Sequence, residues 1–366
     1  MPKASIANGS TPDVSIIVPA RNEEASLGAC LESLTAQAGV TFEIIVVDDA
    51  SSDRTPEIAQ SFTGVRVLSL SPEPPPPNWT GKNNALVAGA KVARTQWLLF
   101  TDADTVHLPG SLARALDEAK KQQADLLSYS PAQTVVTFAE RAVMPVVFAE
   151  LAAQYPPHKV REENSRVVAA NGQYILVRRA AYDAVGGHAA VATEILEDVA
   201  LARLFRNAAR RIHFRYGGDA VRARMYRNWP QLREGWTKNL ALLFPQPGFL
   251  AFQSLLLWFA VWASLGIAIS GALSHRFLMI AFAAFWLLVI RRLRAANFTT
   301  ANNLFAMAAG PPIFVYLLWR SKRAHAIGQV EWKGRVYDVG ARKTSAPAVA
   351  VKQVPSIENQ RLRTGN

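Results

Sequence analysis

The sequence predicts an α/β fold, a mostly parallel sheet followed by C-terminal transmembrane helices. Three observations carry that prediction. Short apolar runs of strand length alternate with stretches that read as helix. Three of the runs end in polar clusters, at Asn22/Glu23, Asp48/Asp49 and Asp102/Asp104. The segment from Phe249 to Leu273 carries no charge and is long enough, as a helix, to cross a bilayer. Ligands of open parallel sheets bind outside the carboxyl ends of the strands, so the three clusters mark one edge as a candidate site.

The first run, Val14 to Val18, reads as a buried strand stopped by Pro19, with Ala20-Arg21-Asn22-Glu23-Glu24 turning into a helix. The second, from Phe42, ends in Asp48-Asp49 and leads into a helix from about Arg54 to Phe62. Val65 to Leu70 is the third strand. A Pro-rich loop, Pro72 to Pro77, precedes Trp79-Thr80-Gly81-Lys82-Asn83-Asn84. Gly81 permits close backbone approach there, and Lys82 is a candidate phosphate contact.

The fourth run is Leu98-Leu99-Phe100-Thr101-Asp102-Ala103-Asp104. In an extended chain residues i and i+2 face the same side. Two carboxylates so placed repel unless a cation lies between them, and hard divalent cations share such oxygens with substrate phosphates. Alone, Asp-x-Asp is also a common surface turn. Farther on, Glu197-Asp198 opens a helix over Val199 to Asn207. Acids favour that position for the helix dipole. Thr137 to Gln154 reads either as a core helix or as an amphipathic helix in a membrane interface.

The chain has 366 residues, one cysteine (Cys30) and a formal charge of +12. A single cysteine excludes an internal disulfide. Met1 to Thr11 is polar, without the apolar stretch of a signal peptide, and is expected to be disordered. The basic residues flank apolar segments rather than form a nucleic-acid module, so the expected partner is an anionic membrane and not a nucleic acid. Phe277 to Ile290 is short for a span, and Gly310-Pro311-Pro312 is expected to kink or break the segment Asn303 to Trp319. Two to three membrane segments over 249–319 are therefore expected, with a basic, partly disordered tail over 320–366. Arg291, Arg292 and Arg294 favour a cytoplasmic loop after the second segment.

The ordered set Pro-Ala-Arg-Asn-Glu-Glu, Val-Asp-Asp-Ala-Ser-Ser-Asp, Gly-Lys-Asn-Asn-Ala-Leu, Thr-Asp-Ala-Asp and Leu-Glu-Asp resembles glycosyltransferase family 2. The resemblance covers about residues 12 to 240 and implies a GT-A (Rossmann-like) domain that uses a nucleotide-sugar donor, a UDP-sugar by preference. It implies donor contacts at Pro19, Ala20, Asn22, Glu23, Asp49, Lys82 and Asp102. It further implies Mg²⁺ or Mn²⁺ on Asp104 with Asp102, and inversion by Asp198 as base with Glu197 in support. Asn171, Gly172, Arg233 and Trp236 would line the acceptor side. Asp48, Asp53 and His188 are weaker candidates. The tail motif Glu331-Trp332-Lys333-Gly334-Arg335-Val336-Tyr337 resembles membrane-bound members that glycosylate lipids, including those of carotenoid and hopanoid pathways.

Many processive relatives carry Gln-x-x-Arg-Trp after the base. Here Gln231-Leu232-Arg233-Glu234-Gly235-Trp236 has glycine where the arginine would stand. A single transfer to a hydroxyl or carboxyl of a membrane lipid is expected over a processive polysaccharide synthase or an inactive nucleotide-binding scaffold. A nucleotidyltransferase would need a Gly-rich loop after the first strand, where Pro19-Ala20-Arg21-Asn22 stands. The enzyme is expected in the cytoplasmic (inner) membrane, multi-pass, with its catalytic domain facing the cytoplasm.

Overall fold

A computed structural model describes residues 12–71, 75–270, 276–294 and 298–338. The expected disordered N-terminus and the tail beyond residue 338 lie outside these. The elements in chain order begin β1 (Val14–Ala20), α1 (Leu27–Thr35), β2 (Phe42–Asp48), α2 (Thr55–Gln60), β3 (Val65–Ser69), α3 (Gly81–Val92), β4 (Trp97–Phe100) and β5 (Thr105–His107). Next come α4 (Ser111–Lys121), β6 (Leu126–Ser130), β7 (Ala132–Gln133), α5 (Phe138–Gln154), α6 (Pro157–Arg161), β8 (Ile175–Arg178), α7 (Arg179–Ala184) and α8 (Glu197–Asn207). The chain continues through β9 (Ile212–Tyr216), β10 (Val221–Ala223), α9 (Trp229–Leu243), α10 (Pro247–Ile269), α11 (Arg276–Arg294) and α12 (Thr300–Ile327). A hairpin, β11 (Gln329–Trp332) and β12 (Arg335–Asp338), ends the described chain.

The main sheet has seven strands in the order β3-β2-β1-β4-β8-β6-β9. It is parallel except at β8, which runs antiparallel to β4 and β6. Strand order reverses between β1 and β4, and a ligand crevice opens at such a switch point. The central strands are buried on both faces, which explains their unbroken Val, Ile and Leu content. Pro19 does not stop β1, as the sequence suggests; the strand runs on to Ala20. The β4 ladder on that side ends at Ile17, so the missing Pro19 N–H costs no sheet bond there.

A three-stranded sheet, β5-β10-β7, sits beside the main one. It fixes the backbone after the Asp-x-Asp motif, where Arg224 N–H donates to the Asp104 carbonyl at 3.2 Å. A third core cluster joins α5, α9, α10 and α12 through residues such as Val143, Val147, Trp236, Phe314 and Leu317. The stretch 137–154 is thus mainly a core helix. Its start is fixed by a capping box between Thr137 and Glu140, with Phe138 left exposed.

Of the described helices, α10 and α12 are long and apolar enough to cross a membrane. The most apolar 18 residues of α10 are only 11% buried in the protein, against 44% for α12. Most of α10 therefore presents Phe249, Phe252, Leu256 and Phe259 outward, a large apolar surface for a lone soluble protein. Helix α12 corrects the expected break, for it runs without interruption through Gly310-Pro311-Pro312. Pro312 removes the donor that the Ala308 carbonyl would meet in a regular helix. The Trp258 indole N–H of α10 supplies it instead, at 2.8 Å. Gly310 lets α12 approach the α5 backbone, since a Cβ there would collide with the Ala142 carbonyl. Trp258→Phe is expected to leave the Ala308 carbonyl unpaired and lower stability by about 1–2 kcal/mol. Thermal unfolding in detergent checks this, and an unchanged midpoint would count against the role of the indole.

Candidate active site

A cavity of about 570 Å³ opens at the carboxyl ends of β1, β2 and β4. Pro19, Ala20, Asn22, Glu23, Asp49, Lys82, Asp102, Asp104, Asn171, Gly172, Glu197, Asp198 and Trp236 all line it. Arg233 is not among the lining residues.

The loop after β1 is fastened to the loop after β2. Arg21 donates to the Asp49 carbonyl at 2.5 Å, and the Asn22 side chain accepts from Ser52 N–H at 2.9 Å. Asn22 holds a left-handed backbone, φ 52°, which asparagine tolerates best among non-glycine residues. Its amide is thus occupied in holding the two loops together. Asp53 accepts from the backbone N–H groups of Glu24 and Thr55, and Asp48 accepts from Ser51, so both serve the loops. His188 is buried against Tyr182 and Phe100, in the core.

Helix α3 begins at the Thr80 cap, whose hydroxyl accepts from Asn83 N–H at 3.1 Å. The Asn83 amide then donates to the carbonyls of Val191, Ala192 and Glu194, at 3.0, 3.0 and 3.1 Å. These bonds fix the loop that delivers Glu197 and Asp198. Lys82, the residue before Asn83, bridges Asp102 at 2.8 Å and Glu197 at 2.7 Å. It ties the end of β4 to the start of α8. Burial works against its charge, but the two carboxylates outweigh that and hold Lys82 well above the ordinary lysine value. Burial likewise raises Glu197, and Lys82 and Lys238 outweigh it to leave Glu197 below the usual carboxylate range.

Asp198 differs from its neighbour. One oxygen accepts from Gly172 N–H at 2.9 Å and the other from Val199 N–H at 2.8 Å. Burial, then the Glu197 charge, push its pKa up to about 6. A Cβ at Gly172 would crowd the Lys82 ammonium at 3.0 Å and Glu197 at 3.2 Å, so glycine gives the Lys82–Glu197 bridge its room.

Because β8 is antiparallel, its start lies beside the end of β4, and Gln173 reaches Asp104. The Gln173 amide faces both Asp104 oxygens at 3.3 Å. Burial, then the charges of Asp102 and Glu23, raise Asp104 to about 7. Asp102 is paired with Lys82, whereas the raised Asp104 is met by the neutral Gln173 amide, so Asp104 is the carboxylate that best fits a hard divalent cation. Among the described residues no group of three or more His, Cys, Asp or Glu side chains converges on one point. The protein would supply Asp104 and Asp102, with other oxygens coming from ligand or water.

Sequence reasoning did not assign Gln173, Asn83 or the cavity-lining Glu234, Lys238 and Tyr226. Tyr226 explains the glycine in the Gln-x-x-Arg-Trp comparison, for a Cβ at Gly235 would strike its ring. The largest omission is the β11–β12 hairpin, which folds back over the site. Lys333 pairs with Glu23, and Arg335 pairs with Asp49 at 2.5 Å.

A mixed sheet with carboxylates gathered at its switch point, beside a smaller sheet behind an Asp-x-Asp turn, is the GT-A arrangement. Residues 15–186 match the sequence model of glycosyl transferase family 2, and the chain carries a glycosyltransferase domain of that family. Over 357 residues it is 28% identical to the 4,4'-diaponeurosporenoate glycosyltransferase of Staphylococcus aureus strain MRSA252, covering 92% of this chain and 91% of that protein. Among solved structures it is similar to a mannosyltransferase of Pyrobaculum calidifontis in complex with GDP-Man and Mn²⁺. That match has 16% identity and a TM-score of 0.47 over 89% of this chain and 90% of the other. It is also similar to S. aureus TarS 1-349 in complex with UDP-GlcNAc, with 16% identity and a TM-score of 0.44 over 90% and 97%.

Proposed function

We propose that the protein transfers a sugar from a nucleotide-sugar donor, a UDP-sugar by preference, to a hydroxyl or carboxyl of a membrane lipid, with inversion. One observation carries this reading: a single cavity has an acidic end and an apolar end. The acidic end is the edge with Glu23, Asp49, Asp102 and Asp104. The apolar end is lined by Phe148, Leu151, Tyr155, Ile195 and Leu243, from α5, α9 and the loop before α8. Glu197 and Asp198 line it too: Lys82 ties Glu197 to Asp102 on the acidic side, and the Asp198 charge acts on Tyr155 on the apolar side. The similarity to an enzyme named for a carotenoid acid supports an apolar, carboxyl- or hydroxyl-bearing acceptor.

In this reading Glu23 and Asp49 face the nucleoside. Asp198 takes the proton of the acceptor group, and Lys82 keeps Glu197 ionised beside it. The acceptor oxygen then attacks the anomeric carbon from the face opposite the departing nucleoside diphosphate, which inverts that centre. Mg²⁺ or Mn²⁺ held by Asp104 and Asp102 would neutralise charge on that diphosphate. Tyr226 and Trp236 wall the cavity and limit water. The exposed face of α10 supports a membrane location, and in this reading the membrane is the cytoplasmic one, with the domain on the cytoplasmic side where such donors are made.

Detergent-purified protein offered a panel of nucleotide sugars and a membrane lipid extract tests this reading. The expected result is release of nucleoside diphosphate and one sugar per labelled lipid, both dependent on Mn²⁺ or Mg²⁺. Nucleotide binding without release under any donor would overturn it, and long polymeric product would overturn the single transfer.

A further inference from the structure

The β11–β12 hairpin lies outside residues 15–186, yet it brings two cations to the acidic end of the cavity. We infer that this hairpin is a working part of the donor site: Lys333 binds the anionic diphosphate of the donor, and Arg335 is the positioning residue that seats it. The inference rests on the nucleotide-sugar reading and adds a binding group to it.

Most other cations lining the cavity are bonded elsewhere: Lys82 to Asp102 and Glu197, Arg224 to Glu140, Arg21 to the carbonyls of Asp49 and Ala50, and Arg227 to the Ala25 carbonyl, while Lys238 lies over the Trp332 ring. A diphosphate entering among so many carboxylates needs a cation, and Lys333 pairs with a single carboxylate where Lys82 bridges two. Lys333 lines the cavity, its ammonium bonded to Glu23 and to the Arg21 carbonyl at 3.0 Å, and its charge also acts on Asp104. It therefore stands between the nucleoside end and the Asp-x-Asp carboxylates.

The hairpin is built to hold that position. Lys333 and Gly334 form its two-residue turn, with φ values of 48° and 74°. Such a turn favours Asn-Gly, so a lysine in the first place is strained. The Glu234 carboxylate accepts the Lys333 backbone N–H at 2.7 Å. Arg335 makes two bonds to the buried Asp49, at 2.5 and 3.2 Å, and is not among the lining residues. Gly81 leaves the room, since a Cβ there would collide with both Arg335 and Asp49. Val330 is buried against Ile195, three residues before Asp198, so the hairpin also braces the loop bearing the base.

The test is binding of UDP and GDP, and of uridine and guanosine, to the full-length protein in detergent with Mg²⁺. Lys333→Ala is expected to weaken the nucleoside diphosphate at least about 10-fold, the loss of one charge-assisted contact, while sparing the nucleoside. Lys333→Arg is expected to restore most of the affinity. Arg335→Ala is expected to mimic Lys333→Ala with the same split, which a general loss of fold would not produce. Wild-type affinity for UDP and GDP in Lys333→Ala overturns the inference. So does tighter binding, which would make the hairpin a plug. Failure of the wild type to bind either nucleotide overturns the donor reading, and this inference with it.

Discussion

Asp198→Asn is expected to lower kcat about 10²–10⁴-fold while leaving UDP binding intact. The two contacts of this carboxylate are the N–H groups of Gly172 and Val199, so nothing in the nucleoside end depends on its charge. An amide keeps the shape and cannot take a proton. The wild type is expected to lose kcat/KM as pH falls through about 6, because burial and Glu197 raise Asp198 to that value and only the ionised form is a base. The stability sign is the opposite. A carboxyl whose folded pKa lies above its unfolded value stabilises the fold below the unfolded pKa and loses that contribution as pH rises through the folded one. At neutral pH the amide variant is relieved of a buried charge but can accept from only one of the Gly172 and Val199 N–H groups, and these opposed effects should leave its stability within about 1–2 kcal/mol of the wild type. An Asn variant with wild-type rates, or with the acidic limb unmoved, would remove Asp198 from the role.

Lys82→Met is expected to damage both fold and chemistry. It strands Asp102 and Glu197, the second of which is nearly buried. Breaking one partner out of a buried pair costs about 3–5 kcal/mol, and one-third exposure of Lys82 brings the expected loss to about 2–3 kcal/mol. The chemical effect has its own signature. Lys82 lowers the proton affinity of Asp198, against burial and Glu197, so its loss moves the acidic limb of kcat/KM to higher pH. Denaturant unfolding and a pH profile of residual activity check the two parts. A variant with wild-type stability and an unmoved limb would leave the bridge without function.

The strand ends were legible because their physics is local. Val14 to Val18 and Ile44 to Asp48 are buried on both faces, so they read as apolar runs, and the polar residue ending each run is placed by the sheet. Glu197-Asp198 was legible for a similar reason, as an acidic first turn that also faces the cavity. What could not be read depended on distant partners. The unbroken α12 needs the Trp258 indole, fifty residues away in sequence. Gln173 reaches Asp104 only because β8 runs antiparallel beside β4. Arg233 is expected on the acceptor side, yet the turn of α9 presents Trp236 and Glu234 to the cavity instead. The tail motif was visible as a resemblance, but no periodicity places Lys333 beside Glu23.

The hairpin contacts also set an order in time. Lys333 meets the Arg21 carbonyl across 312 residues of chain, and Arg335 meets Asp49 across 286. During synthesis the amino-terminal sheet can fold as a unit with its carboxylates in place. The ribosome must then translate every apolar helix before the two closing cations emerge. A nascent chain therefore has the acids of its donor site long before it has the whole of it. In the proposed reading, competence to hold a sugar nucleotide arrives only after the apolar helices have been made.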